Sequence, residues 1–195
     1  MKSLLKTFLC FSIILGLGVA VFLPNPFLTN SFLSQDIQVI NDFYDIEETA
    51  TTTTPSKVAI VLDWQSAVMG AWECFSETQI FDFLSKKTFV VQRTGGSFHA
   101  DIEPSSPFDT KILNEVLKKH TKKRVPVLAK IGGMWVCASM ATNVHGFGLI
   151  SNNQLDGHLC LYFSGSKTSL NKTDPLHQKT VFSALELSKK IFPKN

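Results

Sequence analysis

From Phe8 to Leu23 the chain carries no charged residue, and this run follows Lys2 and Lys6. A stretch of that kind partitions into a bilayer, so it is set apart from whatever core folds behind it. Basic residues stay on the cytoplasmic side, which places the carboxyl-terminal bulk outside. The run ends in Val21-Phe22-Leu23-Pro24 without a small-residue cleavage pattern, and Thr7-Phe8-Leu9 lacks the small residue of a lipoprotein site at Cys10. The expectation is an uncleaved signal anchor over residues 1–23, crossing the cell membrane once through residues 4–23. Because the run is short against the roughly 20 residues of a spanning helix, a cleaved leader and a secreted protein form the alternative.

Residues 24–56 are polar and irregular and end in Thr51–Thr54 and Pro55, the composition of a linker. That leaves 57–195 for one domain with one core, which 195 residues at 44% hydrophobic content can supply. The net charge of +3 is spread over scattered lysines, with no stripe to track phosphates, so nucleic acid is excluded as a partner. Cys74, Cys137 and Cys160 belong to the domain. Either Cys74 pairs with Cys137 in an oxidising compartment and Cys160 stays free, or all are unpaired and mostly buried.

Apolar periodicity marks a β-type run at Val58–Leu62 and a helix opened by Asp63 and reaching Phe75. Strands follow at Thr78–Leu84 and Thr88–Arg93, then Ser97–Glu103, Val125–Lys130, Met134–Met140 and His158–Phe163. Short connections, Ser85-Lys86-Lys87 and Gly132-Gly133, make hairpins of the first and third neighbours. Asp109 or Thr110 caps a helix running to His120, and Asp174 with Pro175 opens a last helix to Ile191. The fold class expected is mixed α+β: a strand-rich, largely antiparallel sheet with about three flanking helices.

Two strands concentrate the chemistry. Phe98, Ala100 and Ile102 share one face of the first, with His99, Asp101 and Glu103 on the other. In the second, Leu159, Leu161 and Phe163 alternate with His158, Cys160 and Tyr162. A histidine and a thiol thereby lie on one side, and an imidazole beside a cysteine favours the nucleophilic thiolate. His145, in a glycine-containing loop that also carries Asp156, can fold back as the base. Cys160, His145 and His158 are the candidate catalytic residues, with His99, Asp101, Asp156 and His177 as supporting polar groups. That nucleophile needs no cofactor; as an alternative, the same residue types allow His99, Asp101, His158 and His177 to be ligands of a divalent metal such as zinc.

The strings Arg93-Thr94-Gly95-Gly96-Ser97-Phe98-His99-Ala100-Asp101-Ile102-Glu103-Pro104, Asp156-Gly157-His158-Leu159-Cys160-Leu161-Tyr162-Phe163 and Asp174-Pro175-Leu176-His177-Gln178 resemble an uncharacterised domain of Gram-positive, mainly clostridial, envelope proteins. That resemblance spans nearly all of Asp63 to Ala184. More loosely, His145-Gly146 followed by His158-x-Cys160 is similar to the signature of the L,D-transpeptidases. It implies a cysteine acyl-enzyme on Cys160, proton transfer to an upstream histidine, backbone amides at the oxyanion, and peptidoglycan or its stem peptide as partner. Gly157, Leu159 and Tyr162 depart from that signature. Tyr162 and Ser169-Leu170 also stand where the clostridial domain is expected to carry further histidines, which favours a rival reading, a non-catalytic wall-binding or interaction module.

Overall fold

The computed structural model describes Pro55 and residues 57–192; the expected anchor and nearly all of the expected linker lie outside the described residues. Among the described residues, no helix is long and apolar enough to cross a membrane.

Six strands form the centre: β1 (Glu77–Asp82), β2 (Thr88–Gly95), β3 (Ala100–Pro104), β4 (Arg124–Ile131), β5 (Met134–Ala141) and β6 (Leu159–Tyr162). They close into a barrel in the order β1-β2-β3-β6-β5-β4, and every neighbouring pair of strands is antiparallel. Around it lie α1 (Met69–Ala71), α2 (Pro107–Lys119) and α3 (Pro175–Ile191). The mixed α+β class with a strand-rich antiparallel sheet is the class the alternation implied.

Alternation builds the interior directly. Val91, Ile102, Val127, Val136, Ala138, Leu159 and Leu161 all point inward and join Trp64, Trp72 and Phe163 in one cluster. Each buried aliphatic side chain there contributes about 1.5–3 kcal/mol by leaving water. A second cluster forms where α3 covers β4 and β5, with Leu128 and Cys137 from the strands and Val181, Ala184 and Phe192 from the helix region. The outer face of β6 is left to a small cluster of Ala141, Cys160 and Tyr162. Strand β6 thus hands its odd residues to the core and its even ones to the site.

The turns explain why the hairpins close. Gly132 (φ 56°) and Gly133 (φ 80°) both occupy the left-handed region between β4 and β5, as a two-residue turn matched to strand twist requires. Buried Arg93 fixes the next corner: it donates to the carbonyls of Met69 (3.0 Å), Gly95 (3.2 Å) and Gly96 (3.0 Å). Its guanidinium also lies 4.8 Å from the centre of the Trp64 ring. The turn leading into β3 is thereby pinned.

Several boundaries differ from the expectation. Val58–Leu62 is not a strand of the barrel; Ile60 makes one parallel bridge to Val136, on the stretch of β5 before Ser139 and Met140, where β6 pairs. The helix expected from Asp63 to Phe75 is shorter, a π-type turn at Trp64–Val68 followed by α1, with Asp63 capping through Ser66 N–H (2.9 Å). Helix α2 is capped three residues before Asp109: Ser106 accepts from Asp109 N–H and Pro107 takes the first turn, where a missing N–H costs nothing. The Cys74–Cys137 disulfide is absent: Cys74, Cys137 and Cys160 are all free, Cys74 exposed and Cys137 fully buried. Burial pushes the Cys137 thiol up to about 12.

Candidate functional site

Strands β3 and β6 are neighbours with Asp101 opposite Cys160, so their outward side chains meet. The connection from β5 to β6 then folds back, and His145 and His158 exchange both backbone hydrogen bonds, at 3.0 and 2.9 Å. That bridge carries His145 over the strand and sets the two imidazole centroids 4.6 Å apart. Gly146 makes it feasible: its φ is 67°, and a Cβ there would fall 2.6 Å from His158 Cε1.

The connection is held down by Glu103. Its carboxylate, fully buried, accepts from Leu149 N–H (2.8 Å), Ile150 N–H (3.1 Å) and the Asn153 side-chain amide (3.3 Å). On the sequence Glu103 belonged to a polar face of the strand; the loop turns that face into an interior.

At the centre, Cys160 Sγ lies 3.4 Å from His145 Nε2 and 3.8 Å from Asp101 Oδ1. Asp101 Oδ1 is 3.3 Å from His99 Nε2 and 3.8 Å from His158 Nε2. The far nitrogen of each imidazole meets a backbone carbonyl: His99 Nδ1 with Lys167 (2.8 Å), His145 Nδ1 with Asn143 (3.1 Å), His158 Nδ1 with Phe147 (3.3 Å). A carbonyl only accepts, so each Nδ1 carries the hydrogen and each Nε2 is turned inward. For His145 this leaves a lone pair facing the thiol.

The charges within the cluster support one another. Burial alone would lower His99, but hydrogen bonding to Asp101 and the Cys160 sulfur outweigh it and raise the imidazole to about 10. Burial likewise raises Asp101, yet the His99 contact and charge, with His158 and His145 behind, leave its carboxyl below the ordinary range. His99 and Asp101 therefore form an ion pair.

His177 stands apart from this centre. Its ring stacks on Tyr162 at 3.7 Å, and Tyr162 in turn stacks on His99 at 4.6 Å, so the phenol separates the two imidazoles. His177 Nδ1 is 2.8 Å from Ser139 Oγ. Burial lowers His177 to about 4; Asp174 opposes this, while Arg124 and His99 add to it. Asp156 is exposed on the loop. The metal set expected from sequence, His99, Asp101, His158 and His177, is accordingly not the set that gathers. Two other groups, His145–His158–Cys160 and His99–Asp101–Cys160, each bring three ligand atoms within 4.8 Å of one another and could hold a metal ion.

Cys160 is only 6% exposed, yet it and His145 line a cleft of about 380 Å³. Arg124, Tyr162, Leu170 and His177 form other parts of its wall. Arg124 is oriented by Asp174, to which it donates through Nε (3.2 Å) and Nη2 (2.6 Å). The sequence gives no role to Glu103, Arg124 or the three carbonyls. Alternation places Tyr162 on the face of Cys160, though not its stack between two imidazoles; nothing marks a carbonyl in advance. No protein-family model, curated protein or solved structure matches this chain.

Proposed function

We propose that His145, His158 and Cys160 bind a divalent metal, zinc by ligand chemistry, and that the protein is a metal-dependent hydrolase acting outside the cytoplasm on cell-wall peptide. One observation carries this reading: imidazoles tied by Nδ1 to carbonyls and turned inward by Nε2 around a thiol and a carboxylate. Ligand histidines are held in this manner by a second group on the other ring nitrogen. The spacing agrees too. In a zinc tetrahedron a nitrogen and a sulfur lie roughly 3.5 Å apart, and His145 Nε2 and Cys160 Sγ are separated by 3.4 Å.

Three protein ligands leave a fourth position for substrate at a catalytic centre. An ion held there by His145, His158 and Cys160 would supply Lewis-acid polarisation of a substrate carbonyl. Asp101, ionised by its pairing with His99, sets a fixed negative charge against the ligand His158, and Arg124, whose Nε and Nη2 are engaged by Asp174, keeps its Nη1 hydrogens for a substrate carboxylate. The extracytoplasmic setting and the wall-peptide substrate come from the apolar leader and from the motif resemblance.

A second reading has its own observation. The 3.4 Å contact from His145 Nε2 to Cys160 Sγ, beside a cleft, is the geometry of a thiol nucleophile with its base, as in a cysteine acyltransferase. Against it, Cys160 is only 6% exposed, whereas an attacking thiol must itself reach the substrate carbonyl.

Metal analysis of the full-length chain, purified without a histidine tag, separates the two. About one zinc per chain is expected, lost in His158→Ala, with hydrolysis of purified muropeptides abolished by a chelator and restored by zinc. Metal-free protein that stays active, and is inactivated by alkylating Cys160 in a Cys74→Ser background, overturns the metal reading in favour of the thiol. The background substitution is needed because Cys74 is exposed and reacts in its own right.

A further inference from the structure

A second concavity, about 790 Å³, lies along α3 and shares Lys123 and Arg124 with the cleft at Cys160. Its wall on α3 repeats at helical spacing, through Leu176, Lys179, Ser183, Leu187 and Lys190. Lys122 from the approach to β4 faces it as well. Lys122, Lys123, Lys179 and Lys190 make no ion pair among the described residues. The one acid in the wall, Glu186, pairs with Lys189 at 2.8 Å and also feels the charge of Lys190, which leaves Lys122, Lys123 and Lys179 unmatched. Between the cations stand Leu176 and Phe182, 58% and 52% exposed.

We propose that this groove binds an acidic peptide in extended form and leads it into the cleft of Cys160. The delivery of that peptide to a reacting centre rests on the hydrolase reading; the binding does not. Unneutralised lysines call for carboxylates, and the exposed Leu176 and Phe182 call for apolar side chains between them. A polyphosphate chain answers only the first demand. A membrane surface fits badly, because the apolar side chains line a hollow instead of forming a raised tip. The length also suits a peptide: from Leu176 to Lys190 a helix rises about 21 Å, which is roughly six residues of extended chain.

The test is fluorescence anisotropy with the full-length chain in neutral detergent. The probe is a fluorescein-labelled eight-residue peptide of alternating glutamate and leucine; lysine–leucine and serine–leucine peptides serve as controls. Saturable binding of the acidic probe is expected, at least tenfold tighter than either control and weakening as salt rises past ~0.15 M. Lys179→Glu with Lys190→Glu should lower affinity at least tenfold, and the neutral pair Lys179→Gln with Lys190→Gln by an intermediate factor. His158→Ala, which removes a proposed metal ligand, should leave probe affinity within twofold, so a failure of the metal reading would not be mistaken for a failure here. Equal affinity in the charge-reversed chain, equal affinity for acidic and serine probes, or retention by phosphatidylglycerol vesicles with no probe binding would each overturn the proposal.

Discussion

At Gly146 the absence of a side chain decides where His158 can stand. The φ of 67° disfavours any other residue, and the missing Cβ leaves the space into which the His158 ring is set, 2.6 Å from where that atom would be. Gly146→Ala should therefore cost on the order of 1–2 kcal/mol from backbone strain alone and, separately, push the His158 ring away from Cys160. Thermal melts read the first effect. Zinc affinity, or the Cε1–H chemical shift of His158 by NMR, reads the second, and an unchanged His158 signal in a destabilised variant would show the glycine to matter for the turn alone. The sequence exhibits the His145-Gly146 pair but not this reason for it, because the atom in the way belongs to a residue a dozen positions on. The positions of the Nδ1 hydrogens were equally out of reach. They are set by the carbonyls of Asn143, Phe147 and Lys167, and a carbonyl is the same at every position. What alternation did give was the shared outward side of Asp101 and Cys160, since it follows from the pleat and needs only that the two strands be neighbours.

Elements were legible where a side chain marks the end. Helix α3 spans Pro175–Ile191 as read, because Asp174 accepts from Leu176 and His177 N–H and Pro175 takes a position with no bond to lose. The start of α2 was missed although Ser106-Pro107 carries the same kind of signal as Asp174-Pro175; Asp109, the acid at its third position, was mistaken for the cap. Loops are harder, since their order comes from the partner they land on. The β5–β6 connection, bearing His145, is ordered by Glu103, which spends its carboxylate on two backbone amides and one side-chain amide of that loop. Glu103→Gln keeps the size and replaces one acceptor oxygen with a donor that faces N–H groups, so the loss should be about 1–3 kcal/mol. The change belongs to the loop: amide hydrogen exchange should accelerate at Leu149 and Ile150 while β4 and β5 stay protected. Uniform acceleration across the barrel would mean that Glu103 supports the whole fold instead.

Closure of the sheet is a property of the whole molecule that no local pattern announces, because β1 pairs with β4 across the intervening β2, β3 and α2. The packing of α3 on the sheet gathers lysines that look scattered in the sequence into one groove, and it completes a stack with two histidines of opposite behaviour on either side of Tyr162. Their titrations shape stability from both ends. His177 falls from its ordinary 6.5 to about 4 on burial, so between those values the unfolded chain holds a proton that the folded one does not. Stability contributed by neutral His177 is thus complete above about pH 6.5 and drains as pH falls towards 4, by on the order of 3 kcal/mol in all. His99, raised to about 10, has the reverse sign: its contribution is complete below 6.5 and is lost as pH climbs through 10. Urea titrations in the presence of a chelator should accordingly place the maximum near pH 6.5. In His177→Gln the total falls because the stack on Tyr162 is weakened, yet the acid limb between pH 6.5 and 4 should flatten while the alkaline limb keeps its slope. An acid limb as steep in the variant as in the parent would assign that loss to other groups, and would mean that His177 does not stay neutral against the phenol ring.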